Sequence, residues 1–451
     1  MLGSGDYQTI GEAASALVAG ATTSEQLTNA ALLTIERLNP RIGAVTDLLS
    51  GSAEEEARSA DIRRSNGRGR GALDGIPILV KDCIDTAGAS CSAGLPFLSA
   101  YRPDHDAVVV QRLRQAGAVV LGVCASDPAM LGTRTLAVTH PQAPSVTVGG
   151  SSGGSAAALA AGFAFAALGT DTGGSVRIPA ACCLTVGLKP TFGRVSNVGV
   201  RPLAPSADHV GSLARCVADV TAVAEVVYDR FVRVPSRPHG QGLKIGHAPE
   251  YWQDAAAEAR EGMEAALHAA KGLGGQLFEI SLPSPDEFAK FHLSIVVAEG
   301  AAYHFQNYPD HLDTYGPLGQ WLFETARRQS GYEYVQACSQ RLDARRRVDA
   351  LFDEVDFLIV PTMPITPPAR EAEVVTLAGV DHGVVPAMVR YTALFNHTGH
   401  PVVSLPVSVV APGIGTSVQI VGKRDHDNDV LALAMAIEQE LALPIDRTVM
   451  A

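Results

Sequence analysis

The chain has 451 residues, 47% hydrophobic and 18% charged, with Lys+Arg 35 against Asp+Glu 47 and a formal net charge of -12. It is long enough to bury a large core, ordinary in composition for a globular enzyme, and acidic enough to exclude nucleic acid as an expected partner. Seven cysteines, an odd number without a C-x-x-C pair, exclude a disulfide framework or zinc site as an expectation and fit a reducing cytoplasm.

In chain order, TIGEAASALVAG (9–20) carries apolar positions at helical spacing and ends at Gly20. TTSEQLTNAALLTIERLNP opens on a Thr/Ser cap followed by Glu25, which predicts a helix that stops before Pro40. The start lacks the basic and apolar regions of a secretory signal. GRGRG (67–71) reads as an exposed loop leading into IPILV, a β-branched run that predicts a buried strand ending on Lys81. DAVVVQRLRQAG and then AVVLGV read as a helix followed by a strand. The apolar stretch 156–168 is too short to cross a bilayer and predicts a buried helix, so no membrane span is expected. Residues 230–242 (RFVRVPSRPHGQG) read as a surface connection, LKIGHAP as a strand, and much of 253–350 as helices. FLIVPTMPITPPA predicts a strand running into a Pro-rich loop. PVVSLPVSVV and TSVQIVGK predict two strands before a terminal helix at DVLALAMAIEQELAL.

Three features carry candidate chemistry. Lys81 ends an apolar strand: its amine either snorkels to the surface or, if desolvated, becomes a base usable near neutral pH. GGSSGGS (149–155) precedes an apolar segment and is either an anion cradle or a flexible turn with a Ser cap; it lacks the Lys-Ser/Thr ending of a phosphate loop. GTDTGGSVRIPA (169–180) places Ser175 after two glycines, where bare backbone N–H groups can meet developing negative charge.

Together, GIPILVKD, GGSSGGSAAALAAG, GTDTGGSVRIPA and GLKPTFGRVS resemble the amidase signature family. The resemblance continues through RPLAPSADHVGSLARCVAD and returns at DFLIVPTMPITPPA and YTALFNHTGHPVVSLPV. It implies an α/β fold with a mixed central β-sheet surrounded by α-helices, in a single domain over 1–451. The signature core falls at about 70–220 and a less typical helical, substrate-side region at about 250–350. Carried over by position, the family's catalytic lysine falls on Lys81. Its middle serine, held on a cis peptide bond, falls on Ser151, and its nucleophile on Ser175, 24 residues later. The oxyanion hole matches the backbone N–H groups of Thr172, Gly173, Gly174 and Ser175, with Asp171 and Arg177 bracing that loop. Val148, Cys83 and the stretch SDPAMLGTRT depart from the usual pattern without touching Lys81, Ser151 or Ser175.

Rough alignment with the family puts Met130, Gly150, Tyr303, His304, Met388, Tyr391 and Phe395 at the substrate, although aromatic and Met residues at helical spacing are often core. The scattered histidines, among them His239, His247, His304, His397 and His400, form no metal-binding pattern, and neither metal nor cofactor is expected. Cys182 and Cys183 read as core packing, and Cys83 as buried. The implied function is an amidohydrolase acting on a small amide, hydrazide or carbamoyl compound, in the cytoplasm and compatible with a homodimer. The alternative is the A-subunit of a glutamyl-tRNA amidotransferase, a glutaminase within a complex.

Overall fold

The computed structural model describes residues 7–229 and 242–449. Thirteen strands occur there: β1 (Val45–Leu48), β2 (Pro77–Lys81), β3 (Val119–Cys124), β4 (Ala166–Asp171), β5 (Val186–Lys189), β6 (His209–Ala214), β7 (Lys244–His247), β8 (Gln276–Glu279), β9 (Phe357–Pro361), β10 (Val374–Leu377), β11 (Val380–Gly383), β12 (Val402–Ala411) and β13 (Ile414–Gly422). Eleven form one mixed sheet in the order β1-β3-β2-β4-β6-β5-β12-β13-β9-β7-β8, while β10 and β11 make a separate hairpin. β2 runs parallel to both β3 and β4, and β9 parallel to β7. The strands between these two parallel groups pair antiparallel.

The central strands are buried on both faces, so they read as continuous apolar runs rather than as alternation. Ile78 and Val80 of β2 join one apolar cluster, and Leu79 between them joins another. Ala166 and Leu168 of β4 divide from Ala167 in the same way. Helices cover the sheet: Gly153–Ala160 packs on β2 and β4, Val217–Val227 on β6, and Ala257–Gly272 on β9 and β13. Helices Pro317–Arg328 and Gly331–Leu351 both pack on Pro285–Asn307, in the region expected to be helical. Among the described residues no helix is long and apolar enough to cross a membrane.

Three expectations need correction. The stretch 156–168 is not one helix: Gly162, at φ +74, follows the helix Gly153–Ala160, and the chain re-enters the sheet as β4. The helix Ser24–Ile42 runs through Pro40 instead of stopping before it. Its last turn is closed by Gly43 at φ 71, whose N–H reaches Asn39 O at 2.7 Å. The Asn39 side chain also pairs with both backbone groups of Val45, holding that end in place. Its start is a capping box of Thr23 with Gln26, not Glu25. Most of the surface connection (230–241), His239 included, lies outside the described residues.

Candidate active site

In open α/β sheets, ligands are met beyond the carboxyl ends of parallel strands. β2 ends there on Lys81 and its neighbour β4 on Asp171, so two candidate residues some 90 positions apart come to one edge of the sheet. Ser151 lies just before the helix Gly153–Ala160, after a cis Gly150–Ser151 peptide bond, as the resemblance implied.

Lys81 is fully buried, and its Nζ donates to Ser151 Oγ at 2.8 Å and Thr170 Oγ1 at 2.9 Å. Among the described residues no carboxylate touches it. Burial pulls its amine below the ordinary lysine value, against the upward pull of Cys83, Asp82, Asp127 and Asp171. Of the two roles the sequence left open for Lys81, the buried one is therefore what the fold provides. Cys83, also buried, lies 3.6 Å from the same Thr170 hydroxyl, and burial pushes its thiol up.

Ser175 sits between β4 and the helix Arg177–Cys182 at 8% exposure, and its carbonyl accepts from Ser152 N, next to Ser151, at 3.2 Å. Among the described residues its hydroxyl makes no hydrogen bond. Its loop is braced by Asp171, fully buried with Arg177. Asp171 Oδ1 accepts from Gly174 N, Arg177 Nη2 and Asn396 Nδ2, and Oδ2 from Val176 N, Arg177 N and Arg177 Nε. Burial pushes the Asp171 carboxyl up, but the Arg177 guanidinium and these bonds outweigh it and hold the group well below the carboxylate range. Arg177 also donates to Thr392 O, Gln419 Oε1 and Asn396 Oδ1, tying the loop to β13 and the helix Ala393–Thr398.

The brace takes up one of the four N–H groups expected as oxyanion donors. Gly174 N–H is engaged by Asp171 at 2.9 Å, whereas the N–H groups of Thr172, Gly173 and Ser175 carry no bond among the described residues. Gly174 stands at φ +131, and a Cβ there would collide with Thr392 Oγ1 and come within 2.7 Å of Ile178 Cδ1. Thr392 in turn donates to Gly173 O at 2.5 Å, and Thr172 to Asp208 at 2.5 Å.

The residues expected at the substrate fall into different places. Gly150 backs onto Asp127 and Arg134, so a Cβ has no room there. Met130 ends a 3-10 turn, Pro128–Met130, and is buried in the core. Met388 is buried and accepts from Thr133 Oγ1 at 3.4 Å. Tyr391 and Phe395 are fully buried; the Tyr391 hydroxyl is spent on Asp254 at 2.8 Å and its ring packs on Tyr251. His304 is buried against the Tyr315 hydroxyl at 2.7 Å. Tyr303 lies beside Tyr308, hydroxyl to hydroxyl at 3.4 Å. Cys182 and Cys183 are buried and unpaired, as expected.

Sequence reasoning missed Thr170, Thr392, Asn396, Gln419 and His292. His292 comes from the helix Pro285–Asn307, with its imidazole edge over Gly173 and its Nδ1 2.8 Å from His397 Nε2. Thr170 lies inside the segment GTDTGGSVRIPA, five residues before Ser175, and that closeness in sequence was the signal for it. Thr392 and Asn396 lie inside the resembling stretch YTALFNHTGHPVVSLPV, but nothing in it marks their role, and like Gln419 and His292 they arrive from more than 100 residues away.

The chain matches the family model described as Amidase over residues 26–431. It is 32% identical to the "Putative amidase AmiD" of Mycobacterium tuberculosis over 91% of this chain and 89% of that one. It is 33% identical to the glutamyl-tRNA(Gln) amidotransferase A-subunit of Myxococcus xanthus, over 95% of this chain and 96% of the other. Its fold is similar, with a TM-score of 0.90 at 30% identity over 97% of this chain and 99% of the other, to a solved chain from a vestigial protein complex described as revealing the origins of an s-triazine catabolic enzyme.

Proposed function

The chain belongs to the amidase family, and from that premise we propose that it hydrolyses the C–N bond of a small amide, hydrazide or carbamoyl compound through a Ser175 acyl-enzyme. The observation that carries this reading is the buried Lys81 Nζ, 2.8 Å from Ser151 Oγ with no carboxylate partner among the described residues. A neutral amine there accepts the Ser151 proton as Ser151 accepts that of Ser175, whose oxygen attacks the carbonyl carbon. The free N–H groups of Thr172, Gly173 and Ser175 meet the oxyanion; loss of one such donor costs about a hundredfold or more in rate. The relay then returns the proton to the leaving nitrogen as the C–N bond breaks. Water, deprotonated through the same path, cleaves the ester and restores Ser175.

The test is product release across aliphatic, aryl and ureido amides, hydrazides and glutamine, with intact-mass detection of the acyl-enzyme. Ser175→Ala is expected to lower turnover on the order of 10⁴-fold or more and to abolish the adduct. A variant rate close to wild type refutes the assignment.

The second reading, the glutaminase component of a tRNA-dependent amidotransferase, draws on the Myxococcus xanthus relative of near-equal identity. Glutamine turnover confined to preparations that retain the other components of such a complex selects it; turnover of small amides by the isolated chain selects the first. Seven unpaired cysteines support a cytoplasmic setting, and light scattering of the purified chain tests the homodimer.

A further inference from the structure

Gly173 sits beneath an imidazole. A Cβ at this position would lie 2.9 Å from His292 Cε1 and 3.1 Å from His292 Nε2, so that edge of the ring lies directly over the nucleophile loop. His292 is half-buried, and its Nε2 is not among the buried atoms that lack a partner. Its other nitrogen, Nδ1, faces His397 Nε2 at 2.8 Å with the two rings at 75°. The Phe291 ring packs edge-on against His397 at 5.3 Å and fixes that ring in turn.

One proton lies between the two imidazoles, and its owner follows from the far side of the pair. His397 Nδ1 is buried and has no partner among the described residues. If His292 donated, neutral His397 would carry its proton on that Nδ1, leaving a buried N–H unsatisfied. If His397 donates, Nδ1 is only a bare lone pair. Orphaned buried N–H groups are the rarer and costlier case. Burial holds His292 down at about 4 and His397 below the ordinary histidine value, so both rings are neutral at pH 7 and this proton count applies. His397 Nε2–H therefore donates to His292 Nδ1, and the His292 proton sits on Nε2, facing the loop.

We infer that His292 is a substrate-facing hydrogen-bond donor, set in its Nε2–H tautomer by His397, that selects amides carrying a second acceptor group a few bonds from the scissile carbonyl. The inference rests on the amidase reading above. The donor stands over Gly173, two residues and at most about 7 Å of chain from Ser175. An acyl chain with its carbonyl at the Thr172–Ser175 amides thus places a group two to four atoms further on within reach of the imidazole. A site built to bond such a group disfavours the analogue that lacks it, because the donor is then left unpaired. His292 touches substrate in this account, and His397 is a positioning residue.

Succinamide and 4-methylpentanamide have the same shape but differ in a terminal carboxamide against an isopropyl group, and they serve as the probe pair. His292→Phe is expected to lower kcat/KM for succinamide about tenfold more than for 4-methylpentanamide, through KM. His292→Gln, which keeps a donor near the Nε2 position, is expected to recover most of the loss. In ¹⁵N NMR of the imidazoles, His292 is expected as the Nε2–H tautomer in the wild type and as a mixture in His397→Phe. Calorimetric binding of both amides to Ser175→Ala, with and without His292→Phe, makes the same comparison without turnover. Equal losses for the two amides, no difference in either assay (absence of all binding included), or an Nδ1–H tautomer at His292 would overturn the inference. Persistent turnover in Ser175→Ala instead overturns the amidase mechanism itself, whatever the His292 variants do.

Discussion

Replacing Asp171 with Asn tests whether the buried brace sets the nucleophile loop. Three donors converge on each oxygen of Asp171: Gly174 N, Arg177 Nη2 and Asn396 Nδ2 on one, Val176 N, Arg177 N and Arg177 Nε on the other. An asparagine must turn its NH₂ toward one trio in either orientation, so three bonds are lost and donor faces donor. At about 1 kcal/mol each, those bonds account for about 3 kcal/mol. The guanidinium of Arg177, fully buried, also loses its only carboxylate among the described residues, and an uncompensated buried charge costs about 3–5 kcal/mol. The two terms overlap, so the expected loss is at least about 3 kcal/mol, read as the shift in a urea unfolding curve followed by far-UV circular dichroism. Arg177→Met and the double variant close a thermodynamic cycle. The double variant is expected to cost less than the sum of the singles by about 2 kcal/mol or more, because removing both charges removes the stranded one. A loss below about 1 kcal/mol for Asp171→Asn, or strict additivity in the cycle, would refute the reasoning.

Three further outcomes are expected. Because burial pulls the Lys81 amine down, kcat/KM should fall on acidification as the base is protonated, and Lys81→Met should be nearly inactive; a rate that stays flat or rises down to pH 4 rejects a neutral lysine. Gly174→Ala should lower kcat at least tenfold with a smaller change in KM, since φ +131 disfavours a side chain and the new methyl meets Thr392; unchanged kinetics would show that the loop tolerates the shift. Burial, with Asp219 adding to it, raises the Glu438 carboxyl from 4.5 to about 7. The folded state therefore keeps a proton that the unfolded chain releases, so this group's stabilisation is present below pH 4.5 and lost as pH rises through 7. Thermal melts of Glu438→Gln should show a shallower drop in Tm from pH 5 to pH 8 than wild type, and parallel profiles would reject the assignment.

Much of the site was legible because its chemistry is local in sequence. Ser175, its two glycines, Asp171 and Arg177 occupy one short segment, and Lys81 closes an apolar run that could only be a buried strand. Burial on both faces erased the alternation that would have marked β5 and β6, so those strands passed unnoticed. A similar ambiguity merged the end of one helix with β4 across Gly162. Tyr391 and Phe395 were expected at the substrate, but an aromatic segment does not disclose which way its side chains turn, and Asp254 takes the Tyr391 hydroxyl instead. His292 and His397 lie 105 positions apart, and only the packing of two helices makes them a pair.

The reach of Arg177 has a consequence for a chain still being made. Its guanidinium finds acceptors at Thr392, Asn396 and Gln419, the last 242 positions further on. A nascent polypeptide that has emerged only as far as residue 380 already carries Lys81, Ser151 and Ser175, yet its arginine has nothing from β13 to hold. Contacts this distant in sequence form late. The brace is thus complete only once the last strands have left the ribosome, and a product that ends before them is expected to lack a fixed Ser175 loop even though it carries Lys81, Ser151 and Ser175.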